Sequence, residues 1–138
     1  DSLIETQFSL YVGDCWEHLC RQYVSGNEID GIIYNMASRW WGKIFPNDNK
    51  EGTMIELDIV AESFDKKHIL IGECKWTNGE DAQRLAHSLS EKAQSLPFVK
   101  REQQVHLVLF LKRTPEHPEA ARYFLPENIV SSHAFRRE

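Results

Sequence analysis

Two apolar-rich stretches in the middle of the chain, separated by a polar segment, have the length and composition of β-strands. They cover Met54–Ala61 and His68–Trp76, and Ser63–Lys67 joins them. Apolar runs of this length on either side of a polar connection predict a β-hairpin. Because successive side chains of a strand point to opposite faces, Glu73 and Lys75 are expected on the same face of the second strand.

The segment before the hairpin contains apolar residues at the spacing of an α-helix. This spacing predicts an amphipathic helix over about Ser9–Val24, which Gly26 would end in a left-handed cap, and residues 1–8 are expected to lie outside it. The stretch Glu28–Asn35 is ambiguous and its structure stays open, whereas Met36–Phe45 predicts a strand. The apolar positions of the predicted helix are Val12, Trp16, Leu19, Cys20 and Tyr23.

The chain after the hairpin predicts a helix, a buried strand and a less regular tail. Acidic residues within Asn78–Asp81 suit the start of a helix, and Pro97 suits its end. Val105–Leu111 is almost continuously apolar, as expected of a strand that is covered on both faces. The tail predicts a short helix around Glu119–Phe124 and an edge strand at Asn128–Ser131.

The order of these elements, a helix, three strands, a helix and a strand, defines the predicted fold class. A strand, a crossover helix and a second strand form a parallel unit, while a hairpin is antiparallel, so the sheet is expected to be mixed. We therefore predict an α/β domain with three layers, α/β/α. The chain has 138 residues, 41% of them apolar, which predicts a single domain over residues 1–138 with a sizeable core.

The overall charge and the cysteine content narrow the functional classes. A net charge of −5 argues against a protein that coats DNA through a broad basic surface, although a local basic rim is compatible with it. The three cysteines are odd in number and lack the spacing of a disulfide framework, which favours a reduced, cytoplasmic setting. No apolar run reaches the length that spans a bilayer, so no membrane partner is expected.

The predicted hairpin carries the clearest candidate chemistry of the chain. If its strands pair so that Asp58 faces the same side as Glu73 and Lys75, two carboxylates and an ammonium group converge. Burying such a cluster is unfavourable unless the charges are paired, hydrogen-bonded or neutralised by a cation. A divalent metal ion would neutralise it, and a cross-strand ladder of salt bridges on a half-exposed sheet is the alternative.

The spacing of these residues resembles a known pattern. Asp58 is followed, after fourteen residues, by Glu73-Cys74-Lys75, which resembles the D…(D/E)-x-K signature of the restriction-endonuclease-like superfamily. Over roughly residues 8–112, the chain is also similar to the C-terminal domain of unknown function that follows the P-loop ATPase module in archaeal-type ATPases, which is found in bacteria as well. The motifs of this second resemblance are Gly13-x-x-Trp16-Glu17-x-Leu19-Cys20, Trp40-Trp41-Gly42, Glu56-Leu57-Asp58-Ile59-Val60-Ala61 and Gly72-Glu73-Cys74-Lys75-Trp76.

The resemblance implies a restriction-endonuclease-like, or PD-(D/E)xK, fold and a role for each residue of the pattern. Asp58 and Glu73 are expected to bind Mg²⁺ or Mn²⁺, with the carbonyl of Cys74 as a further ligand. Lys75 is expected to orient or deprotonate the attacking water, and Glu17 is expected to be an outer acidic residue of the metal site. The implied partners are DNA and an upstream P-loop ATPase domain, because the chain itself has no Gly-rich phosphate loop.

Two classes of function follow from these observations. The first is a Mg²⁺-dependent DNA nuclease, or a nuclease-like module attached to an ATPase. The second is a noncatalytic domain that senses nucleic acid or binds a protein and retains a relic site. Metal binding and cleavage would distinguish the two classes, whereas the sequence specifies neither the oligomeric state nor a choice between DNA and RNA.

Two adjacent tryptophans are a further candidate for binding nucleic acid. Trp40 and Trp41 lie on the predicted strand Met36–Phe45 and could stack on nucleobases. Since adjacent strand residues face opposite sides, at least one of the two rings is expected in the core.

Overall fold

A five-stranded mixed sheet with helices on both faces forms the centre of the computed structural model, which describes residues 1–79 and 81–130. The helices and strands follow the predicted order, with a small hairpin and a short tail added. In chain order they are α1 (Ser2–Val24), β1 (Glu28–Ile29), β2 (Ile32–Ile33), β3 (Ser38–Ile44), β4 (Thr53–Glu62), β5 (His68–Lys75), α2 (Ala82–Ala93), β6 (Gln104–Leu111), β7 (Arg122–Phe124) and α3 (Pro126–Val130).

The central sheet has the order β3-β4-β5-β6-β7. The strands β3, β4 and β5 pair antiparallel, which confirms the predicted hairpin, and β5, β6 and β7 pair parallel. The connection from β5 to β6 runs through α2, as a parallel pair requires. The predicted α/β class with a mixed sheet is therefore confirmed.

Two apolar cores lie on opposite faces of the sheet. On one face, Trp16, Cys20 and Val24 of α1 pack on the strands, and the indole nitrogen of Trp16 donates a hydrogen bond of 3.1 Å to the carbonyl of Phe110. On the other face the buried residues Ala82, Leu85 and Leu89 of α2 pack on the strands. The sheet is therefore covered on both sides, as its apolar central strands require.

Gly72 occupies a position in β5 that is too narrow for a side chain. A Cβ atom there would lie 3.0 Å from the ring of Phe110 and 3.2 Å from the Cβ of Ile59. These separations are shorter than ordinary contacts between carbon atoms. Gly72 thus allows close packing directly before Glu73.

The first helix is longer than its apolar spacing predicts. It begins at Ser2, because the side chain of Asp1 accepts hydrogen bonds from the backbone N–H groups of Leu3 and Ile4 at 2.7 and 3.3 Å. The prediction that residues 1–8 lie outside the helix is wrong. These first turns do not pack on the sheet, so their periodicity carried no signal. The exposed large apolar side chains of the first half of α1 are Leu3, Ile4, Phe8, Leu10 and Tyr11.

The ambiguous stretch Glu28–Asn35 contains the small hairpin β1–β2. Asp30 and Gly31 form its turn with φ angles of 51° and 83°. Two consecutive positive φ angles match the tight turn that Asp-Gly sequences favour.

The tail differs from both of its predicted elements. In place of a helix over Glu119–Phe124, a 3₁₀ turn over Pro118–Ala120 precedes the strand β7, where Phe124 stacks on Phe110 at 5.6 Å between ring centroids. In place of a strand at 128–131, the helix α3 buries Ile129, while Ser131 lies outside the described residues. Both predictions are wrong because local apolar spacing over so few residues did not reveal these tertiary contacts.

Two further features of the structure are the character of its helices and the state of its cysteines. Within residues 1–79 and 81–130, no helix combines the length and the apolar character needed to cross a membrane. The cysteines are unpaired, with Cys15 exposed and Cys20 and Cys74 buried.

Candidate active site

The candidate site lies where β4 and β5 separate. Their described pairing runs from Glu62 opposite Ile69 to Ile59 opposite Gly72 and includes no later pair. On its other side, β4 has one extra residue relative to β3 between Leu57 and Val60. Such a β-bulge bends the strand and changes the direction of nearby side chains.

The packing of β4 reflects this bulge. In a regular strand, residues two apart point to the same face of the sheet. Leu57 nevertheless packs in the core beneath α2, whereas Ile59 packs in the core beneath α1. Asp58 lies between these two residues, at the point where the strand changes face.

Asp58 is fixed by hydrogen bonds of both its side chain and its backbone. Its Oδ2 atom accepts a hydrogen bond of 2.8 Å from the backbone N–H of Cys74, which takes the place of a ladder bond where the strands separate. Its carbonyl accepts a hydrogen bond of 3.1 Å from Nη1 of Arg21 on α1. In the described part of the chain, Oδ1 accepts no hydrogen bond, so this oxygen is available to a ligand.

Glu73 lies between two lysines. The Nζ atom of Lys75 is 3.9 Å from Glu73 Oε2, and the Nζ atom of Lys92 is 3.9 Å from Oε1. Both distances exceed that of a hydrogen bond, so the attraction is electrostatic and the geometry is loose. The Glu73 side chain is only 16% exposed, whereas the lysines are more open to solvent.

Asp58, Glu73 and Lys75 line one open pocket with a volume of about 460 Å³. The structure therefore brings these three side chains together, as their positions in the predicted hairpin suggested. Their roles as ligands and proton carrier stay predictions. The other residues that line this pocket are Trp41, Met54, Ile55, Glu56 and Lys92.

Cys74 can contribute to this pocket only through its backbone. Its side chain is buried beside Cys20, and burial, followed by Cys20, raises the pKa of the Cys74 thiol well above its ordinary value. The N–H of Cys74 points to Asp58. Since the N–H and C=O of one strand residue point to the same neighbouring strand, the carbonyl is directed toward β4 as well.

Glu17 lies close to the site but lines a different pocket. On α1 it is 3.6 Å from Arg21 Nη1, and the pocket beside it, of about 590 Å³, includes Trp76 and Thr77 but none of the three residues above. Burial, followed by the charge of Asp58, raises the pKa of Glu17, and Arg21 opposes this shift. Glu17 therefore influences the site through its charge rather than as part of the pocket wall.

The oxygen atoms of the pocket fit a hard divalent cation. No three His, Cys, Asp or Glu side chains in the described residues converge closely enough to hold a metal ion by themselves. Mg²⁺ does not need such a set, because it is commonly bound through one or two carboxylates and keeps several waters. Asp58 Oδ1 and the Glu73 carboxylate line the pocket and are donors of this kind, while the Cys74 carbonyl stays a predicted third donor.

Lys92 is a residue of the pocket that the sequence analysis missed. It follows Leu85 by seven residues and Leu89 by three, so it lies on the same face of α2 as these two buried residues. Its position on the apolar face of α2, where a charged residue is unusual, was the signal in the sequence that could have identified Lys92 as a residue of the pocket.

The two adjacent tryptophans are placed on opposite faces of β3. Trp40 packs on Phe98, with 5.2 Å between ring centroids, which confirms that one of the pair belongs to the core. Trp41 is 63% exposed and lines the pocket of Asp58 and Glu73.

A comparison with models of protein families gives a match. A family model described as archaeal and bacterial proteins of unknown function matches residues 2–92. The matched segment contains all five residues of the predicted pattern and most of α2. Among curated proteins, no match was found.

Proposed function

The chain belongs to DUF234, this family of archaeal and bacterial proteins of unknown function, and we propose that it is a Mg²⁺- or Mn²⁺-dependent nuclease domain that hydrolyses phosphodiester bonds of DNA. One observation carries this proposal. Asp58, Glu73 and Lys75 line the same pocket, with two carboxylates available to a cation and an ammonium group beside them. The donor set suits Mg²⁺ and the lysine suits water activation.

The proposal includes a restriction-endonuclease-like fold for this domain. The order of α1, β3, β4, β5, α2 and β6 and the mixed sheet are compatible with that fold. The position of the three residues at the point where β4 and β5 separate gives the proposal its local support.

The residues of the pocket divide the chemistry among them. The carboxylates of Asp58 and Glu73 would hold the cation, and the hydrogen bond from Cys74 N–H keeps the Asp58 side chain directed into the pocket. When bound, the cation would activate a water and neutralise charge at the phosphorus. Lys75 would orient the water or, in its neutral form, accept a proton from it, and the resulting ammonium group would stabilise the negative charge that develops on the phosphate.

A second function is favoured by the position of Glu73 between two ammonium groups. The two ammonium groups balance much of the negative charge of the pocket without a metal ion. A noncatalytic domain that senses nucleic acid or binds a protein could therefore keep these residues as an ion-pair network. We further propose that an upstream P-loop ATPase domain is a partner of this domain, whether the domain is a nuclease or noncatalytic.

Cleavage assays with a matched lysine variant test the proposal. Purified wild type would be incubated with single-stranded, duplex and branched DNA in the presence of Mg²⁺ or Mn²⁺. We expect cleavage by wild type, loss of cleavage in Lys75→Ala, and incomplete recovery in Lys75→Arg, because a guanidinium does not release its proton. Lys67→Ala, an exposed lysine in the connection between β4 and β5, is the control that should cleave like wild type.

The variants must be purified side by side, because a trace of contaminating nuclease would imitate activity. Equal cleavage by wild type and Lys75→Ala would assign the activity to another protein or another site. Metal binding without cleavage of any substrate would support the noncatalytic alternative.

A further inference from the structure

The edge strand β3 presents a row of alternating side chains to solvent. Arg39, Trp41 and Lys43 are exposed, while the residues between them are turned toward the core. Side chains two apart on a strand share a face, and their Cα atoms lie about 7 Å apart. Trp41 is therefore flanked on both sides, along one face, by a cationic side chain.

The indole of Trp41 differs from the other three tryptophans of the chain. Trp16 and Trp76 contact each other, with ring centroids 5.1 Å apart, and Trp40 contacts Phe98. Among the described residues, no ring or cation lies against the face of Trp41, and this side chain is 63% exposed. A large aromatic ring without such a partner is a candidate contact surface for a ligand.

Trp41 forms part of the wall of the candidate active site. Its partner across the ladder is Glu56, and both line the pocket that contains Asp58 and Glu73. Met54, which is 61% exposed, lies on the wall of the same pocket. The wall thus combines an aromatic face and an apolar side chain with the carboxylates that would hold the cation.

We infer that Trp41 stacks on an unpaired base of single-stranded DNA, with Lys43 and Arg39 contacting the phosphates on either side. Arg39 is 3.3 Å from Glu56 in the free protein, so it would exchange this exposed ion pair for a phosphate. The inference rests on the proposed function, because nucleic acid is the ligand it assumes. Aromatic side chains between cations are the usual platform for single strands, since every base offers a flat face. In a duplex those faces are occupied by neighbouring bases, and exposing one requires unstacking. Trp41 therefore selects a strand with unpaired bases at the site.

Binding measured without cleavage tests the inference. The probe is a fluorescein-labelled oligothymidylate of about 20 nucleotides, which exceeds the span that a single small domain usually covers. Fluorescence anisotropy in EDTA at low salt gives the affinity of the whole chain for it. We expect Trp41→Ala to bind about tenfold more weakly than wild type and Trp41→Phe to retain most of the affinity, since a smaller aromatic face remains.

An exposed aromatic residue elsewhere supplies the matched control. Phe64 lies in the connection at the opposite end of the hairpin, and Phe64→Ala should bind like wild type. Binding of an equally long labelled duplex should be weaker for wild type and unaffected by Trp41→Ala. Circular dichroism and melting temperature check that each variant is folded, as expected for exposed positions.

The outcomes separate this inference from the proposed function. It is overturned if wild type does not bind the oligothymidylate, or if Trp41→Ala binds it within about twofold of wild type. If wild type cleaves DNA but its affinity for the oligothymidylate does not depend on Trp41, the inference is wrong and the nuclease proposal stands. Binding that depends on Trp41, without cleavage in Mg²⁺ or Mn²⁺, removes the nuclease proposal and leaves the inference.

Discussion

Asp58 shows how one side chain can serve the fold and the proposed chemistry together. One of its carboxylate oxygens accepts the N–H of Cys74, which would otherwise lack a partner where β4 and β5 separate. The other oxygen remains available to a cation. Substitutions at this position therefore mix two effects, and only a pair of variants can separate them.

The pair Asp58→Asn and Asp58→Ala gives a prediction about metal binding. We expect millimolar Mn²⁺ to raise the melting temperature of wild type, because a ligand that binds only the folded state stabilises it by mass action. Asp58→Asn keeps an oxygen for Cys74 but loses the charge, so it should melt near wild type and show little Mn²⁺ shift. Asp58→Ala leaves the N–H unpaired, which costs about 1–3 kcal/mol.

Differential scanning fluorimetry with and without Mn²⁺ makes this measurement. The experiment also needs Glu119→Gln, a variant of an acidic side chain that is 75% exposed and does not line the pocket, which should keep the full shift. A shift of equal size in Asp58→Asn would show that the ion binds elsewhere on the molecule.

Glu73 provides a prediction about stability. Its two ion pairs are long, at 3.9 Å, and both lysines are partly exposed, so we expect Glu73→Gln to change the free energy of unfolding by less than about 1 kcal/mol. Urea denaturation of the two proteins without metal measures this difference. A loss above about 2 kcal/mol would mean that the ion-pair network is structural, which favours the noncatalytic alternative.

At the scale of elements, the sequence predicted the strands and helices whose apolar residues recur at a regular spacing. The hairpin around Ser63–Lys67 and the helix α2, whose N-cap is Asp81, are present as expected. Within the site, the strand period predicted that Glu73 and Lys75 share a face and left the face of Asp58 conditional on the register of the hairpin. The structure places all three in one pocket. The sequence did not indicate Lys92, because tertiary packing decides how α2 lies on the sheet. The bulge beside Asp58 could not be predicted either, since one extra residue leaves no trace in a short apolar run.

The structures of the tail and of the small hairpin could not be predicted from the sequence, for different reasons. Asp30-Gly31 is a turn signal, but the strands beside it contain only two residues each, too few to show alternation. Arg122 in the tail is held by a bidentate ion pair with Asp30, at 2.9 and 3.0 Å. This contact spans 92 residues of sequence, so no local pattern could reveal it.

Two histidines lie in contact near the starts of β5 and β6, where His68 is the first residue of β5 and His106 is the third residue of β6. His68 Nδ1 and His106 Nε2 lie 2.9 Å apart, so one ring must be neutral at the nitrogen that accepts the hydrogen bond. Burial, followed by His68, lowers the pKa of His106, and the nearby Asp30 opposes this shift. Asp65 lies near His68, and the two side chains interact electrostatically.

The lowered pKa of His106 predicts a loss of stability in acid. The unfolded chain, with an ordinary histidine pKa of 6.5, takes up a proton before the folded one does, so protonation favours unfolding. The contribution of His106 is present above pH 6.5 and is lost as the pH falls below this value toward the pKa of the folded state. Melting temperatures from pH 7.5 to about 5 should fall less in His106→Gln than in wild type.

The control is His18→Gln, at an exposed position on α1 that forms no ion pair within the described part of the chain. The pH-dependent fall in melting temperature should be as large in this variant as in wild type. A slope in His106→Gln as steep as that of wild type would assign the acid sensitivity to the carboxylates instead.

On the scale of the whole molecule, the net charge of −5 limits how much DNA the protein can contact. The cations near the pocket are few, and Arg39 already pairs with Glu56 at 3.3 Å. We therefore expect single-stranded DNA to be bound through about three phosphates, which gives a slope of log K against log salt of about −2.

Anisotropy titrations at several NaCl concentrations measure this slope. Lys43→Ala should make it shallower by the contribution of one phosphate, whereas Lys67→Ala should leave it unchanged. A slope steeper than about −4 would require a larger basic surface than the row on β3 provides.

The short connection Ser63–Lys67 has a consequence for the order in which the chain folds. A hairpin closes within microseconds, whereas the parallel pairing of β5 with β6 must wait until the crossover through α2 has formed. Asp58 and Glu73 therefore approach each other before α2 delivers Lys92. Early in folding, Lys75 is the nearer of these two lysines to the acidic pair. We therefore expect the remaining repulsion between Asp58 and Glu73 to slow folding.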